Sequence, residues 1–343
     1  MRFKKLLSVV LGASLGVSLG VSAGTAHANT TRLDFCVFDI IGTSGDTFNL
    51  MRDYRTAALE HGLDLRVRAF TDENIAYQEL IGGQCDMAAI TGIRSRNLNS
   101  YVGSLDSIGA IPNYDVMRTV ARVLASNNPR ITENMRSGPY EVIGMAPMGA
   151  AYLFVKDKAI NNVNALAGKS ISVMEYDVAQ GRMASRVGMS PVMSDITNFA
   201  GRFNNHSVDI CFAPMMAYSA LELYRGMGPD GGIVDYTLGQ LTLQIIARHD
   251  KLPEGFADWS REYVFQNLHD RAQAIVDNAY NDVSDDRWIN INEEDTLRYD
   301  EMMREARVAL TQQGVYNADM MSLLRNIRCR HDGGRAECSE RLE

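Results

Sequence analysis

Past its first 28 residues this chain has no stretch of the roughly 18 apolar residues that a membrane-spanning helix requires. Its histidines are few and scattered (His61, His206, His249, His269 and His331 outside the first 28 residues), and no HxxxH pair occurs. No CxxC occurs, and no Cys/His spacing suits a metal, so neither a redox dithiol nor a zinc site is expected. GxSxG elbows and Walker loops are missing as well. Gly226 to Gly231 matches GxGxxG literally, but it follows a helical stretch and contains Pro229-Asp230, which reads as a turn. The acid pairs Asp285-Asp286 and Glu293-Glu294 sit beside polar stretches and read as solvated surface or helix starts. These absences remove the ready-made arrangements of a nucleophile, a cofactor or a metal, and the expectation is a protein that is not an enzyme.

The beginning of the chain carries an export pattern. Arg2, Lys4 and Lys5 form a basic start, Leu6 to Ala23 is apolar and small, and Ala26-His27-Ala28 is a small-x-small cleavage site. Residues 1–28 are therefore expected to be a signal peptide, and the location periplasmic. Loss of those three cations takes the net charge from −8 to −11. An acidic body of this kind would not be drawn to nucleic acid or to an anionic membrane surface.

In an oxidising compartment, cysteine pairing is the default. Cys329 and Cys338 flank a short polar loop containing Gly333-Gly334 and are the best pair, stapling a tail over 321–343. Cys36 lies in the first strand and Cys85 at the start of a later one, so those two can be bridged if the strands are neighbours. Cys211 is then left as a buried thiol.

Periodicity gives the organisation. Residues 33–41 are a near-continuous apolar run, read as a buried parallel strand, and Gly42 to Asp46 make a turn. A helix follows from Phe48 to His61, stopped by Gly62, and then an alternating strand from Leu63 to Phe70. Asp72 is placed to cap the next helix. The first lobe spans 29–150 with a return segment near 235–258; the second spans 151–234 with parts of 259–320. One phrase occurs in both: a helix end, a turn, an Asp and an apolar strand, first at 76–90 around Asp86 and again at 199–213 around Asp209. Both aspartates are expected to fix the turns before their strands.

Several segments resemble the periplasmic binding proteins of TRAP transporters. Asn164 to Val173 resembles their DLKGLKIRV stretch, Val187 to Met193 their LGANPVPM, and Leu80 to Ala88 their LKSGALDMA. Over nearly the whole chain past the leader, Asp34 to Asp46 together with Cys329-Arg330 and Glu337-Cys338-Ser339 resemble the AdeT-type solute-binding proteins. The resemblance implies an α/β, two-lobed fold of the type II, DctP-like class, with crossing hinge strands and C-terminal helices. It also implies a carboxylate-clamping Arg in the KIRV strand, but here that position is Ser172, and a hydroxyl cannot replace a guanidinium fork.

In such a fold the ligand lies at the carboxyl ends of the strands. Candidate ligand-binding residues are Asp39, Thr43 and Ser44 after the first strand and Arg94 after the third. From the second lobe come Ser172, Glu175, Tyr176, Phe212, Pro214 and Met215. The hydroxyls and Arg94 suit an anion; Asp39 and Glu175 suit an amine; Tyr176, Phe212 and Met215 suit apolar walls. The expected function is closure of two lobes on a small-molecule solute, presented to a membrane permease or an efflux component. The alternative is an envelope accessory protein, efflux-associated or structural, without a transported ligand.

Overall fold

The apolar run at 33–41 folds as a strand only as far as Phe38, because Asp39 turns its carboxylate onto the backbone N–H groups of Ile41 and Phe48. The computed structural model describes residues 30–343; the leader expected at 1–28 lies outside the described residues. Eleven strands form one sheet: β1 (Thr31–Phe38), β2 (Leu63–Phe70), β3 (Met87–Thr91), β4 (Arg136–Ser137), β5 (Tyr140–Val155), β6 (Ser170–Met174), β7 (Ser190–Ser194), β8 (Ile210–Pro214), β9 (Gly232–Val234), β10 (Gly239–Arg248) and β11 (Trp288–Ile289). The main order is β2-β1-β3-β10-β5-β8-β6-β7. Parallel strands β2, β1 and β3 make one end and β8, β6 and β7 the other, with β10 and β5 antiparallel between them. Among the described residues no helix is long and apolar enough to cross a membrane.

Side-chain alternation builds the layers. On β1, Leu33, Phe35 and Val37 pack against Phe48, Met51 and Tyr54 of the helix Asp46–Glu60. Cys36 and Phe38 point the other way, onto Ala76 and Leu80 of the helix Glu73–Ile81. That period of two wraps the first lobe's sheet on both faces. The second lobe repeats the plan: Ile171 and Val173 of β6 meet Met183 and Ala184 of the helix Val178–Arg186, while Met174 joins Phe199 and Phe203 on the opposite face.

The phrase that recurs in the sequence is a structural repeat. Gly83 ends its helix in the left-handed region at φ +77°, and His206 takes the same role at φ +61°, an uncommon but tolerated state for histidine. Gln84 N–H then returns to Glu79 O, and Ser207 N–H to Arg202 O, each at 2.8 Å. Asp86 Oδ2 accepts the backbone N–H of Asp34 at 2.9 Å, and Asp209 Oδ2 that of Ser170 at 2.7 Å. In both lobes the carboxylate thus ties the start of one strand to its parallel neighbour.

Strand β5 is the main crossing. Val142 and Met145 lie in one core of the first lobe and Ile143 and Ala146 in the other; Leu153 and Val155, and Tyr152 and Phe154, do the same in the second. Between these halves the ladder with β10 slips: Thr242 opposes Pro147 and Leu241 opposes Gly149, so Met148 is an extra residue. Pro147 has no N–H to offer, and Gly149 sits at φ +100° against Val276, which together make the bulge. Strand β10 is inserted between β3 and β5, antiparallel to both. Helix Glu293–Gln312 also bridges, with Tyr299 to Ala306 in a core of the second lobe and Leu310 in one of the first.

Cys36 and Cys85 are joined, Cα atoms 6.0 Å apart, across neighbouring β1 and β3; Cys329 and Cys338 are joined at 5.6 Å; Cys211 is a buried free thiol. The segment after 318 is a helix, Ala318–His331, whose Met320, Met321, Leu324 and Ile327 are buried. A charged cluster seals it: Arg307 Nε to Glu343 Oε1 at 2.8 Å, Arg328 Nε to Glu337 Oε1 at 3.1 Å, and Arg328 also to Glu343 and to the carbonyl of Ala110.

Removing one partner of such a buried cluster leaves an uncompensated charge, so Arg328→Ala should lower the unfolding free energy in urea by about 3–5 kcal/mol. Burial alone would raise the Glu337 carboxyl, but Arg335 and Arg328 hold it down at about 2. A carboxyl depressed in the fold contributes stability above its unfolded value, roughly 4.3, and loses it as pH falls toward the folded value. Melting temperature should therefore drop between pH 4.5 and 2 (about the span of those two values), and Glu337→Gln should flatten that drop.

Candidate functional site

Parallel strands in both lobes end at the space between them, so the loops after β1, β3, β6 and β8 face one another. Between them lies a cavity of about 490 Å³. The first lobe supplies Asp39, Ile40, Ile41, Thr47, Thr91 and Ile93; the second supplies Met174, Tyr176, Phe199, Phe212, Pro214 and Met215. The crossing strands add Met148 and Leu241, the former aimed inward by the bulge, and the helix His269–Asn281 adds its last turn. The wall is mostly apolar because it is made of strand ends that continue the cores of both lobes.

Five of the ten sequence candidates line this cavity: Asp39, Tyr176, Phe212, Pro214 and Met215. Asp39 is nearly buried, and its oxygens accept from Ile41 N–H at 2.8 Å and Phe48 N–H at 3.0 Å, fixing the start of the helix Asp46–Glu60. Burial raises its pKa, and those N–H groups partly offset the rise. Thr43 and Ser44 are exposed on a short 3₁₀ turn and do not reach the cavity wall, which takes Asp46 and Thr47 instead. Ser172 is buried inside β6 with its hydroxyl 2.6 Å from that of Ser194 on β7, away from the cavity wall. Glu175 is exposed, its backbone N–H held by Ser194, and it too lies off the wall.

Arg94 sits behind Tyr176. Its guanidinium carbon lies 3.4 Å from the Tyr176 ring centroid, and its Nε is 3.6 Å from Glu73 Oε2. Glu73, fully buried, accepts Thr91 N–H at 2.7 Å through one oxygen and the Tyr176 hydroxyl at 3.0 Å through the other. The last of these bonds joins the two lobes. A second link between them is Arg96 Nη1 to Asp177 Oδ1 at 2.9 Å, both side chains nearly buried. Burial beside Glu73 raises the Tyr176 pKa well above the usual phenol value, so it stays a donor.

Sequence reasoning missed Glu73. It follows the Asp72 cap and reads as an ordinary first-turn acid; only the folded return of β3 brings Thr91 and Arg94 onto it. The apolar lining at Met148, Ile93 and Leu241 was equally silent, since each belongs to a segment that periodicity assigns to core.

Comparison with known proteins gives a consistent family. Residues 56–343 match the family described as "Solute-binding protein AdeT 1/2". The chain is 41% identical over 303 residues to "Probable solute-binding protein AdeT1" of Acinetobacter baumannii, covering 88% of this chain and 99% of that one. It is 28% identical over 240 residues to "Probable solute-binding protein AdeT2" of the same organism, covering 69% and 98%. Among solved structures, a TRAP periplasmic solute binding protein from Desulfovibrio salexigens with bound orotic acid has TM-score 0.72 at 12% identity over 88% of this chain and 99% of that one. One from Shewanella oneidensis with bound succinate has TM-score 0.69 at 10% identity, over 87% and 99%. Likeness at such low identity establishes the two-lobed fold. The family and these neighbours are described as solute-binding proteins.

The bond from Tyr176 to the charged Glu73 is worth about 1.5–3 kcal/mol. Tyr176→Phe should lower the urea unfolding free energy by that order and enlarge the radius of gyration in small-angle scattering, because the lobes lose a direct link.

Proposed function

The chain belongs to the AdeT 1/2 family of solute-binding proteins, and we propose that it closes its two lobes on a small solute and presents the closed form to a membrane transporter. The observation that carries this reading is the cavity itself: its walls come from loops of both lobes and from the two strands that cross between them. A solute held there touches both lobes at once, and it favours closure by the difference between its affinities for the closed and open forms. The TRAP neighbours that hold orotic acid and succinate support a solute of modest size.

In this reading the lobes are 29–150 with 235–258 and 151–234 with parts of 259–320, hinged at β5 and β10. The working compartment is the periplasm, supported by the family, by two disulfide bonds and by the export pattern over residues 1–28. The wall residues Asp39, Tyr176, Phe212, Pro214 and Met215 are the ligand contacts, with Arg94 acting through Tyr176.

Thermal unfolding against a broad panel of carboxylates, amino acids, amines and neutral metabolites tests this. A true solute at 100 times its dissociation constant adds about 2.7 kcal/mol, a shift of several degrees. A flat panel, with no small molecule released from the purified protein on denaturation, would overturn the reading in favour of an accessory protein.

A further inference from the structure

Every feature at the cleft that would hold an anion is already occupied by a carboxylate of the chain itself. The start of the helix Asp46–Glu60 offers free N–H groups and the positive end of its dipole, the usual place for an anion. Asp39 fills it, accepting from Phe48 N–H at 3.0 Å. Arg94 has Glu73 3.6 Å away and the Tyr176 ring across its face, and its side chain is only 7% exposed. Arg96 is taken by Asp177 at 2.9 Å. Arg96 has no free fork to give to a solute, and Arg94, whose Nε lacks a hydrogen-bond partner, is balanced in charge by Glu73 and stands off the cavity wall.

The cavity wall itself carries charge of one sign. Among the described residues its charged members are Asp39, Asp46 and Asp282, with no Arg, Lys or His. The last turn of the 13-residue helix His269–Asn281 lines the cavity through Asn278 and Ala279, so its carbonyl end adds to the negative field. Asp282 then stands at that helix's C-cap, where a carboxylate opposes the dipole and costs the helix stability. A cation in the cavity would relieve both. Around these groups the wall is Met148, Met174, Phe199, Phe212 and Leu241, surface for a hydrocarbon body.

We propose that the solute is a hydrophobic amine, an apolar body with one ammonium group, and that Glu73 and Asp39 act as specificity determinants by occupying the places a solute carboxylate would need. The inference rests on the solute-binding reading above and names the class of solute for that same cavity.

Isothermal titration of the purified protein at pH 7 and low salt with three ligands of one shape tests it: 2-(1-naphthyl)ethylamine, 2-(1-naphthyl)ethanol and 1-naphthaleneacetate. The amine should bind about tenfold or more tightly than the alcohol, and the carboxylate more weakly than either, as a wall whose charged members are all acids requires. Raising the salt should shrink the amine's advantage over the alcohol, because Asp46 and Asp282 are exposed and salt screens exposed charges. Asp46→Asn with Asp282→Asn should narrow the amine's advantage over the alcohol to about threefold or less. Glu73→Gln keeps the acceptor for Thr91 and the side-chain shape while freeing Arg94, and should raise carboxylate affinity by about tenfold. Its circular dichroism and melting curve report whether it is folded, and the Asp46/Asp282 variant tests the charge argument independently. Tightest binding by the carboxylate would overturn the inference and leave solute binding standing. Binding by none of the three would overturn it as well, and the denaturation-release measurement then decides whether solute binding falls with it.

Discussion

Sixteen residues of one strand, Tyr140 to Val155, belong to both halves of the molecule at once. The strand gives apolar side chains to each face of the first lobe and then to each face of the second, and its backbone is bonded to β10 along one half and to β8 along the other. Neither lobe can complete its core without it. The register slip at Pro147 to Gly149 falls where the strand passes from one set of cores to the next. That slip has a local price in lost ladder bonds, and it puts Met148 into the cavity wall. The cleft is therefore a consequence of how two lobes share a sheet, and its apolar character follows from the same strand ends that hold the cores.

Much of this is legible in the sequence where a short-range rule acts. The strand Leu63–Phe70 and the Asp72 cap follow from alternation and helix-cap chemistry, and the structure has both. The repeated Asp86 and Asp209 were visible as a recurring phrase, and their roles as backbone ties are the same in both lobes. The Cys36–Cys85 bridge needed one further fact, that β1 and β3 are neighbours. The site was less legible. Thr43, Ser44, Ser172 and Glu175 lie on elements that border the cavity but off its wall, because a single step of register decides whether a side chain faces the cleft, a neighbouring strand or solvent. Glu73 was invisible because its meaning comes from residues 18 and 103 positions away in the chain, Thr91 and Tyr176.

Charge is handled in the same manner throughout the molecule. Arginines that leave the surface do so beside carboxylates of the chain: Arg94 beside Glu73, Arg96 beside Asp177, Arg261 beside Glu141, and Arg307 and Arg328 beside Glu343. Such pairs add little net stability over apolar packing, but breaking one is costly, so they fix which elements lie together. Two of them lie at the junction of the lobes. Their effect is to spend the protein's buried positive charge internally and to leave the cleft with acids and hydrocarbon.

Part of that hydrocarbon wall is sulfur. Met148, Met174, Met215 and Met216 all border the cavity. A thioether is soft and unbranched, so these side chains can reshape around bodies of different outline without breaking the strand ends that carry them. The same atoms are the ones that oxidants convert to sulfoxides, each adding a strongly polar oxygen to an apolar lining. Oxidation of these thioethers would therefore make the cleft more polar, and enzymatic reduction of the sulfoxides would restore its apolar lining.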